Sequence, residues 1–502
     1  MTPSQRAAVG SSAPPAPDIH DHSHAQNRFA VIPNAVRLGV SAAWRGRGVT
    51  IAIIDSGFVP HPDLSEPRNR VSAHVDVTQA DRQPRTAAVP NDWDWHGTMT
   101  SVVAAGNGAL SNGVYRALAS EANVVLVAAS EEGRVTEANI ARGFEWVLAH
   151  RERYGIRVVS ISLGGDRDES FKSNAVDMLA ERAVAEGIVV VAAAGNSGCT
   201  REHHTVPPAN APSVITVGGL DDKNRLDSDE RHLYCSSYGV TVDGVSKPEV
   251  IAPAMWVAAP ILPGTEAYRR AEALSRIAAA PDYELARLAA ELHADAGLPE
   301  IARSRGPAEI RFAVERALAD AKIVSTHYQH VDGTSFAAPI VASIVAQMLE
   351  ANPSLTPAMV KQILIATADR VPGASASRQG FGAVNANRAL DFATRETHIL
   401  TAAELHPPRI ERGKLVFLYH DDAAASVSVA GDFNSWNSGF APLSKDARGV
   451  WRAEIEPPVP GRYRYKFFVD GARWVEDSSH GFAEPDEYGG FNSVLIVSGA
   501  SA

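Results

Sequence analysis

The run Val49-Thr-Ile-Ala-Ile-Ile-Asp55 (VTIAIID) is apolar, rich in β-branched residues and closed by a single carboxylate. A short continuous run of this kind is typical of a parallel strand that is covered on both faces. Four similar runs follow along the chain: Asn123–Ala128, Arg157–Ser162, Ile188–Ala194 and Ser213–Gly218. Helical stretches such as 136–154 and 174–186 lie between them. This alternation predicts βαβ crossovers and an α/β fold with a doubly wound parallel sheet.

Four polar side chains stand where such a sheet gathers its functional groups, beyond the carboxyl ends of the strands. Asp55 ends the first strand, and Asn196 follows the run that begins at Ile188. His96 begins a stretch of small residues, and Ser335 precedes a long helical pattern. A serine hydroxyl needs an adjacent base to become a nucleophile, and that base needs a partner that fixes its tautomer. The set therefore predicts acyl transfer, with the amide of Asn196 as a donor to the oxyanion.

Five motifs, in this chain order, resemble those of the subtilase (subtilisin-like) family of serine peptidases: Ile53-Ile-Asp55-Ser-Gly57, His96-Gly-Thr98, Ser162-Leu163-Gly164-Gly165, Ala194-Gly195-Asn196 and Gly333-Thr-Ser335-Phe-Ala-Ala-Pro339. The resemblance covers residues 34–395 and implies a serine endopeptidase. It implies that Asp55 orients the histidine, that His96 is general base and then acid, and that Ser335 is the nucleophile. It also implies Asn196 as the oxyanion donor. The alternative is a catalytically silent subtilase that is kept as a scaffold.

The same resemblance assigns residues to substrate binding. Ser162, Leu163 and Gly164 are expected to pair with an extended polypeptide as an added strand, which gives affinity with little demand on sequence. Together with Ala194 and Gly195 they would flank the pocket for the residue before the scissile bond. We expect the floor of this pocket near Thr205, and its small walls would suit a medium or large side chain.

Two segments bear on regulation. Residues 264–321 are rich in Ala, Arg, Glu and Leu and predict a helical insertion, which would either gate the cleft or decorate the surface. Residues 1–33 are predicted to be a disordered or regulatory tail. Its segment 29–34 resembles the self-blocking segment of intracellular subtilases, or is a simple lead-in to the first helix.

The sequence pattern changes after a linker at residues 396–410. Residues 411–498 alternate short strands with turns and predict an all-β, immunoglobulin-like sandwich. Aromatic rings beside polar side chains suit stacking on sugar faces. The segment resembles the glycogen-binding module of the AMP-activated kinase β subunit. This resemblance implies an α-glucan (glycogen) partner bound by Trp436, Lys466, Trp474, Tyr488 and Asn492. A module that binds a protein partner is the alternative.

Composition excludes some functions. The net charge of −11 argues against a nucleic-acid or anionic-membrane partner, and no apolar run approaches the ~20 residues of a transmembrane helix. The N-terminus lacks the apolar core of a signal peptide, so we expect a cytoplasmic protein, with secretion as the alternative. In that compartment Cys199 and Cys235 would be two thiols, although one bridge between them is possible.

No cofactor is required for the predicted chemistry. We see no spaced run of Asp and Asn ligands for calcium, so a structural calcium is possible but has no visible motif. His20, His22 and His24 alternate on the predicted tail, where such histidines usually bind no metal ion.

Overall fold

The computed structural model of the chain describes residues 31–40, 43–78, 90–91, 93–201, 203–226, 231–299, 306–395, 408–447, 449–477, 479 and 483–497. Its helices are α1 Asn34–Arg37, α2 Pro62–Ser65, α3 Asp94–Ala105, α4 Glu137–Tyr154, α5 Ala175–Ala185, α6 Glu266–Ala279, α7 Asp282–Leu292, α8 Pro307–Asp320, α9 Thr334–Ala351, α10 Pro357–Thr367, α11 Ala376–Gln379 and α12 Ala386–Arg395. The three histidines of the predicted tail, and residues 29–30, lie outside the described residues.

The strands of the first part of the chain are β1 Thr50–Asp55, β2 Val71–Asp76, β3 Asn123–Ala128, β4 Ser130–Glu131, β5 Arg134–Val135, β6 Ile156–Ile161, β7 Val189–Ala193, β8 Ile215–Asp221, β9 His232–Leu233, β10 Gly239–Val240, β11 Ser246–Lys247, β12 Val250–Pro253, β13 Val257–Pro260, β14 Ile323–Ser325 and β15 Tyr328–Val331. The central sheet has the order β12-β8-β7-β6-β1-β3-β2, and each neighbouring pair along this path is parallel. The chain passes from β1 to one side of the sheet and returns at β6 to build the other side. The boundary between β1 and β6 is therefore the topological switch point, where such sheets bind ligands.

Both faces of the central sheet are covered, as the unbroken apolar runs predict. In β1, Ile51 and Ile53 pack into the core that contains α9, whereas Ala52 and Ile54 pack into the core that contains α4 and α5. Helix α9 has the length and composition of a membrane-crossing helix, but 83% of its span is buried inside the protein. Its apolar surface is thus used within the fold, and the predicted doubly wound α/β architecture is confirmed.

Helices α6, α7 and α8 form a helical insertion with a core of its own, which includes Leu274, Leu285 and Ile310. The insertion lies in the chain between β13 and β14, two strands of the antiparallel sheet β13-β15-β14. Pro307 is the first residue of α8, a position where its missing N–H costs nothing. Whether the insertion gates the cleft or only decorates the surface stays a prediction.

The C-terminal part consists of antiparallel strands: β16 Arg409–Glu411, β17 Lys414–His420, β18 Val427–Gly431, β19 Ser444–Lys445, β20 Val450–Ile455, β21 Gly461–Val469, β22 Arg473–Val475, β23 Ala483–Pro485 and β24 Phe491–Val497. They form two sheets, β16-β17-β20-β19 and β18-β21-β24-β23, with β22 paired to β21. Phe417, Trp451, Tyr465 and Phe467 fill the core between the sheets. The predicted all-β sandwich is confirmed.

The sandwich, called the module below, is docked on the preceding α/β part of the chain, called the first domain below. Arg370 forms an ion pair of 2.6 Å with Glu476, and its guanidinium lies 5.9 Å and 5.8 Å from the ring centres of Phe381 and Phe491. The hydroxyl of Ser246 donates to the carbonyl oxygen of Ala483 at 2.7 Å. These contacts fix one face of the module against the first domain.

Candidate active site

Asp55 stands at the carboxyl end of β1 with its side chain fully buried. Its Oδ1 accepts hydrogen bonds from the backbone N–H of Ser56 at 2.7 Å and from Nδ1 of His96 at 2.7 Å. Its Oδ2 accepts one from the hydroxyl of Thr100 at 2.9 Å. A buried carboxyl group is tolerated when its oxygens are satisfied in this way, so these hydrogen bonds hold Asp55 in a fixed orientation.

His96 is placed by the first turn of α3, and its ring nitrogens have distinct roles. Because Nδ1 faces the Asp55 carboxylate, it carries the proton, and Nε2 keeps its lone pair in the neutral ring. Burial acts to lower the pKa of His96, but the charge and hydrogen bond of Asp55 outweigh it, so this pKa is raised above its ordinary value of 6.5. The centre of the His96 ring lies 5.2 Å from the ring centre of Trp95 and 6.0 Å from that of Phe336.

Ser335 is the second residue of α9, and the ring of its neighbour Phe336 packs against His96. Gly333 is the N-cap residue before the helix, and its φ of 137° is a conformation that favours glycine. Within the part of the chain that the structure describes, the Ser335 hydroxyl and the His96 ring form no hydrogen bond of 3.5 Å or less. Catalytic hydrogen bonds are often long without substrate and tighten when it binds. Ser335 lies at the N-terminus of α9, which carries the positive end of the helix dipole.

The main chain of Ser335 is tied to the predicted substrate segment. Pro339 stands four residues later inside α9 and has no N–H, so the carbonyl oxygen of Ser335 lacks its helical donor. The hydroxyl of Ser162 supplies the replacement, donating to that oxygen at 2.9 Å. Ser162 thus joins the end of β6 to the backbone of Ser335.

Asn196 faces the same helix. Its Oδ1 accepts from the backbone N–H of Thr334 at 3.0 Å and from the Thr334 hydroxyl at 3.1 Å. Because the amide oxygen is occupied, Nδ2 remains the group available to donate into the exposed cleft. The Thr334 hydroxyl also accepts from the N–H of Gly195 at 3.2 Å. Thr334 and Thr100 are positioning residues that the sequence analysis did not single out, although Thr334 lies inside a quoted motif.

A disulfide braces the loop that carries Asn196. Cys199 and Cys235 are bonded, with their Cα atoms 5.3 Å apart, so the expectation of two thiols is wrong. The reason is the close approach of two loops: the N–H of Gly198 donates to the carbonyl of Cys235, and that of Ser237 to Gly195, each at 2.9 Å. A cytoplasmic location stays a prediction that this bond counts against, because cytosolic thiols are kept reduced.

The predicted substrate segment extends β6 past its last pairing with β1, between Ile54 and Ile161. Gly164 is exposed there, and the N–H of the next residue, Gly165, donates to the carbonyl oxygen of Pro207 at 2.8 Å. A Cβ atom on Gly164 would come within 2.8 Å of Val206 Cγ2. Val206 therefore packs beneath this segment, whereas Thr205 is buried and bonded to Asn210 at 2.7 Å. The sequence pattern carried no signal for Val206, because this stretch departs from the family pattern.

The five residues predicted to bind sugar line one groove of about 1500 Å³. The rings of Trp436 and Trp474 lie 6.0 Å apart at 67°, and the indole N–H of Trp436 donates to Asp432 at 3.0 Å. Tyr488 is 93% exposed at the rim. Lys466 and Asn492 are mostly buried, and Lys466 is ion-paired with Asp486. Residues of the first domain form the opposite wall of this groove.

Among the residues that the structure describes, no group of three or more histidine, cysteine, aspartate or glutamate side chains could hold a metal ion. That the chemistry requires no cofactor stays a prediction, and whether a structural calcium binds stays open.

The model of the subtilase family matches residues 46–382, and that of carbohydrate-binding module 48 (isoamylase N-terminal domain) matches residues 404–485. Serine protease AprX of Bacillus subtilis (strain 168) is 32% identical over 353 residues, which are 69% of this chain and 66% of that protein. Subtilisin of Bacillus pumilus is 31% identical over 188 residues, 37% of this chain and 61% of that protein.

The chain thus spans just under two thirds of the length of these relatives. Fervidolysin from Fervidobacterium pennivorans, a keratinolytic enzyme related to subtilisin, superposes with a TM-score of 0.50 at 20% identity, over 89% of this chain and 57% of that chain. That likeness shows the fold. With two thirds of its length matched by the family model, this chain belongs to the subtilase family of serine peptidases and carries a carbohydrate-binding module.

Proposed function

We propose that this chain is a serine endopeptidase in which Ser335 is the nucleophile, His96 the general base and acid, Asp55 the residue that orients His96, and Asn196 the oxyanion donor. The observation that carries the proposal is the 2.7 Å contact between Asp55 and Nδ1 of His96, next to a serine at the N-terminus of α9. It leaves the lone pair of His96 Nε2 free to accept a proton.

In acylation, Nε2 of His96 takes the hydroxyl proton while Ser335 Oγ bonds to the scissile carbonyl carbon and the carbonyl electrons move onto oxygen. Asn196 Nδ2 and the helix N-terminus stabilise that oxyanion. The carbon–nitrogen bond then breaks, and His96 gives its proton to the leaving amine. A water molecule repeats the sequence on the acyl-enzyme, releases the carboxylic acid and restores Ser335.

Substrate lies along Ser162, Leu163 and Gly164 as an added strand, and Ala194 and Gly195 form the facing wall. The close approach of Val206 to Gly164 supports a narrower space for the side chain before the scissile bond, because a Cβ atom on Gly164 would come within 2.8 Å of Val206 Cγ2. We therefore propose a preference for small or medium aliphatic side chains at this position, narrower than the glycine-rich walls alone suggest.

Labelling with a fluorophosphonate probe, followed by peptide mapping, tests the peptidase proposal. We expect the label on Ser335 and none in Ser335→Ala, whereas Ser354→Ala, at an exposed serine outside the cleft, labels normally. Asn196→Ala should lower kcat by about 10²–10³-fold, the size seen for such a donor in subtilisin. Absence of label on Ser335 in folded protein would establish the alternative, a silent scaffold.

We also propose that the module binds α-glucan, which tethers the peptidase to glycogen-like polymers. All five predicted contacts share one groove, and this supports sugar binding over a surface for a protein partner. Electrophoresis in gels that contain glycogen measures it. Retardation should be lost in Trp474→Ala and kept in Phe440→Ala, a matched aromatic that is exposed on the module but does not line the groove. Equal mobility with and without glycogen would contradict this proposal.

A further inference from the structure

The groove that holds the predicted sugar contacts has two walls from different parts of the chain. The module supplies Trp436, Trp474 and Tyr488. The first domain supplies Arg370, Gln379 and the loop 371–375, which follows α10. The volume of about 1500 Å³ exceeds the ~300–1,000 Å³ of an ordinary small-molecule pocket, so the space suits several linked sugar rings.

The two walls are held at a set distance. Arg370 is itself part of the groove and pairs with Glu476, a groove residue of the module, at 2.6 Å. The rings of Phe381 and Phe491 stack across the boundary with their centres 6.0 Å apart. A ligand therefore meets a preformed slot, which lowers the ordering cost of binding.

The charges in the groove favour a neutral, hydroxyl-rich ligand. Each of its three cationic side chains is already paired with a carboxylate: Arg370 with Glu476, Arg464 with Asp432, and Lys466 with Asp486. Paired charges of this kind offer hydrogen bonds but little net attraction for a phosphate. The half-exposed ring of Trp474 and the exposed ring of Tyr488 supply flat apolar faces.

The wall of the first domain is accessible and polar at its rim. Pro372, Gly373 and Ser375 are exposed, and the hydroxyl of Ser375 bonds only to the neighbouring hydroxyl of Ser377 among the described residues. Ser375 precedes α11 without a side-chain capping bond to that helix. A substitution there changes the wall with little effect on the helix.

We propose that the groove is a composite α-glucan site in which the peptidase domain forms one wall, so that a maltooligosaccharide lies between the two domains. The proposal rests on the proposed glucan binding of the module and adds the residues of the first domain to it. A ligand that contacts both walls binds the full chain more tightly than the module face alone. By linkage it also stabilises the docked arrangement of the domains.

Calorimetric titration of the full chain with maltoheptaose tests the composite site. Trp474→Ala removes the module wall and should abolish binding. Ser375→Trp fills the groove from the side of the first domain and should weaken binding at least about tenfold. Ser354→Trp, the same change at an exposed serine that does not line the groove, should bind like the unmodified chain.

The outcomes separate the two proposals. If Ser375→Trp binds maltoheptaose with unchanged affinity while Trp474→Ala does not bind, the composite site is wrong and glucan binding by the module stands. If the unmodified chain does not bind, both proposals fail. Circular dichroism checks that each variant is folded, and Pro372→Trp obstructs the same wall should Ser375→Trp fail to fold.

Discussion

Pro339 has no N–H to donate to the carbonyl oxygen of Ser335, and the hydroxyl of Ser162, the residue after β6, replaces that donor. This bond from Ser162, at 2.9 Å, ties the nucleophile to the segment that would hold the substrate. We predict that Ser162→Ala lowers kcat/KM by about tenfold, since an unsatisfied carbonyl costs about 1–3 kcal/mol and part of that cost falls on the position of Ser335. Steady-state kinetics with a peptide substrate measures the loss.

Ser162→Thr is the matched control, because it keeps a hydroxyl that can donate to the same oxygen. Its kcat/KM should stay close to that of the unmodified enzyme. Equal activity in Ser162→Ala would show that the bond does not position the nucleophile.

In the proposed mechanism the pKa of His96 sets the lower pH limit of the reaction. His96 must be neutral to act as a base, and Asp55 raises its pKa above 6.5. Protonation therefore removes activity as the pH falls through that raised value. We predict that Asp55→Asn lowers kcat by about 10⁴-fold and shifts the acidic limb of the pH profile to lower pH. The limb shifts because burial lowers the pKa of His96, and in this variant the negative charge of Asp55 no longer opposes that effect.

The profile of kcat/KM against pH measures this limb in both proteins. Thr100→Val is the control: it removes one hydrogen bond to Asp55 but keeps the carboxylate, so the limb should stay above pH 6.5. A limb at the same pH in Asp55→Asn would contradict the assigned role of Asp55.

At the scale of elements, much of the site could be predicted because the end of each apolar run marks the end of a strand. The run from Val49 to Asp55 places a carboxylate at a sheet edge, and Asn196 follows a second such strand. The packing of Val206 under Gly164 could not be predicted, because it depends on how a loop folds back. The disulfide between Cys199 and Cys235 could not be predicted for the same reason. The spacing of the two cysteines in the sequence does not show that their Cα atoms lie 5.3 Å apart.

Asn196 lies three residues before Cys199, just outside the loop that the disulfide closes. A cross-link over a sequence separation of 36 residues stabilises by about 4 kcal/mol if it acts on the entropy of the unfolded chain. We predict that the double variant Cys199→Ser, Cys235→Ser lowers the melting temperature and lowers kcat more than it raises KM, because the oxyanion donor loses its support.

Treatment of the unmodified enzyme with dithiothreitol should reproduce both effects and leave the double variant unchanged. A folded double variant with the kinetics of the parent would show that the hydrogen bonds of Gly198 and Ser237 hold the loop without the disulfide.

At the scale of the whole molecule, the module presents its sugar face toward the peptidase domain. The sequence predicted the two folds and the five sugar-binding residues, but it contained no pattern for their joint groove, because the groove arises only from docking. Arg370 of the first domain pairs with Glu476 of the module, and its guanidinium lies 5.9 Å and 5.8 Å from the ring centres of Phe381 and Phe491, so it is one of the contacts that join the two domains.

This coupling is measurable by calorimetry. A cation over aromatic rings and a partly exposed ion pair together contribute about 1–2 kcal/mol, so Arg370→Ala should loosen the docking without unfolding either domain.

In the unmodified chain we predict that maltoheptaose raises the melting temperature of the peptidase domain as well as that of the module, because the ligand contacts both. In Arg370→Ala the shift should be confined to the module. Arg370→Lys keeps the positive charge but replaces the planar guanidinium near the two rings with an ammonium group. We therefore expect a shift in the melting temperature of the peptidase domain that is intermediate between those of the unmodified chain and Arg370→Ala. Shifts of equal size in all three proteins would mean that the domains respond to the sugar independently of Arg370.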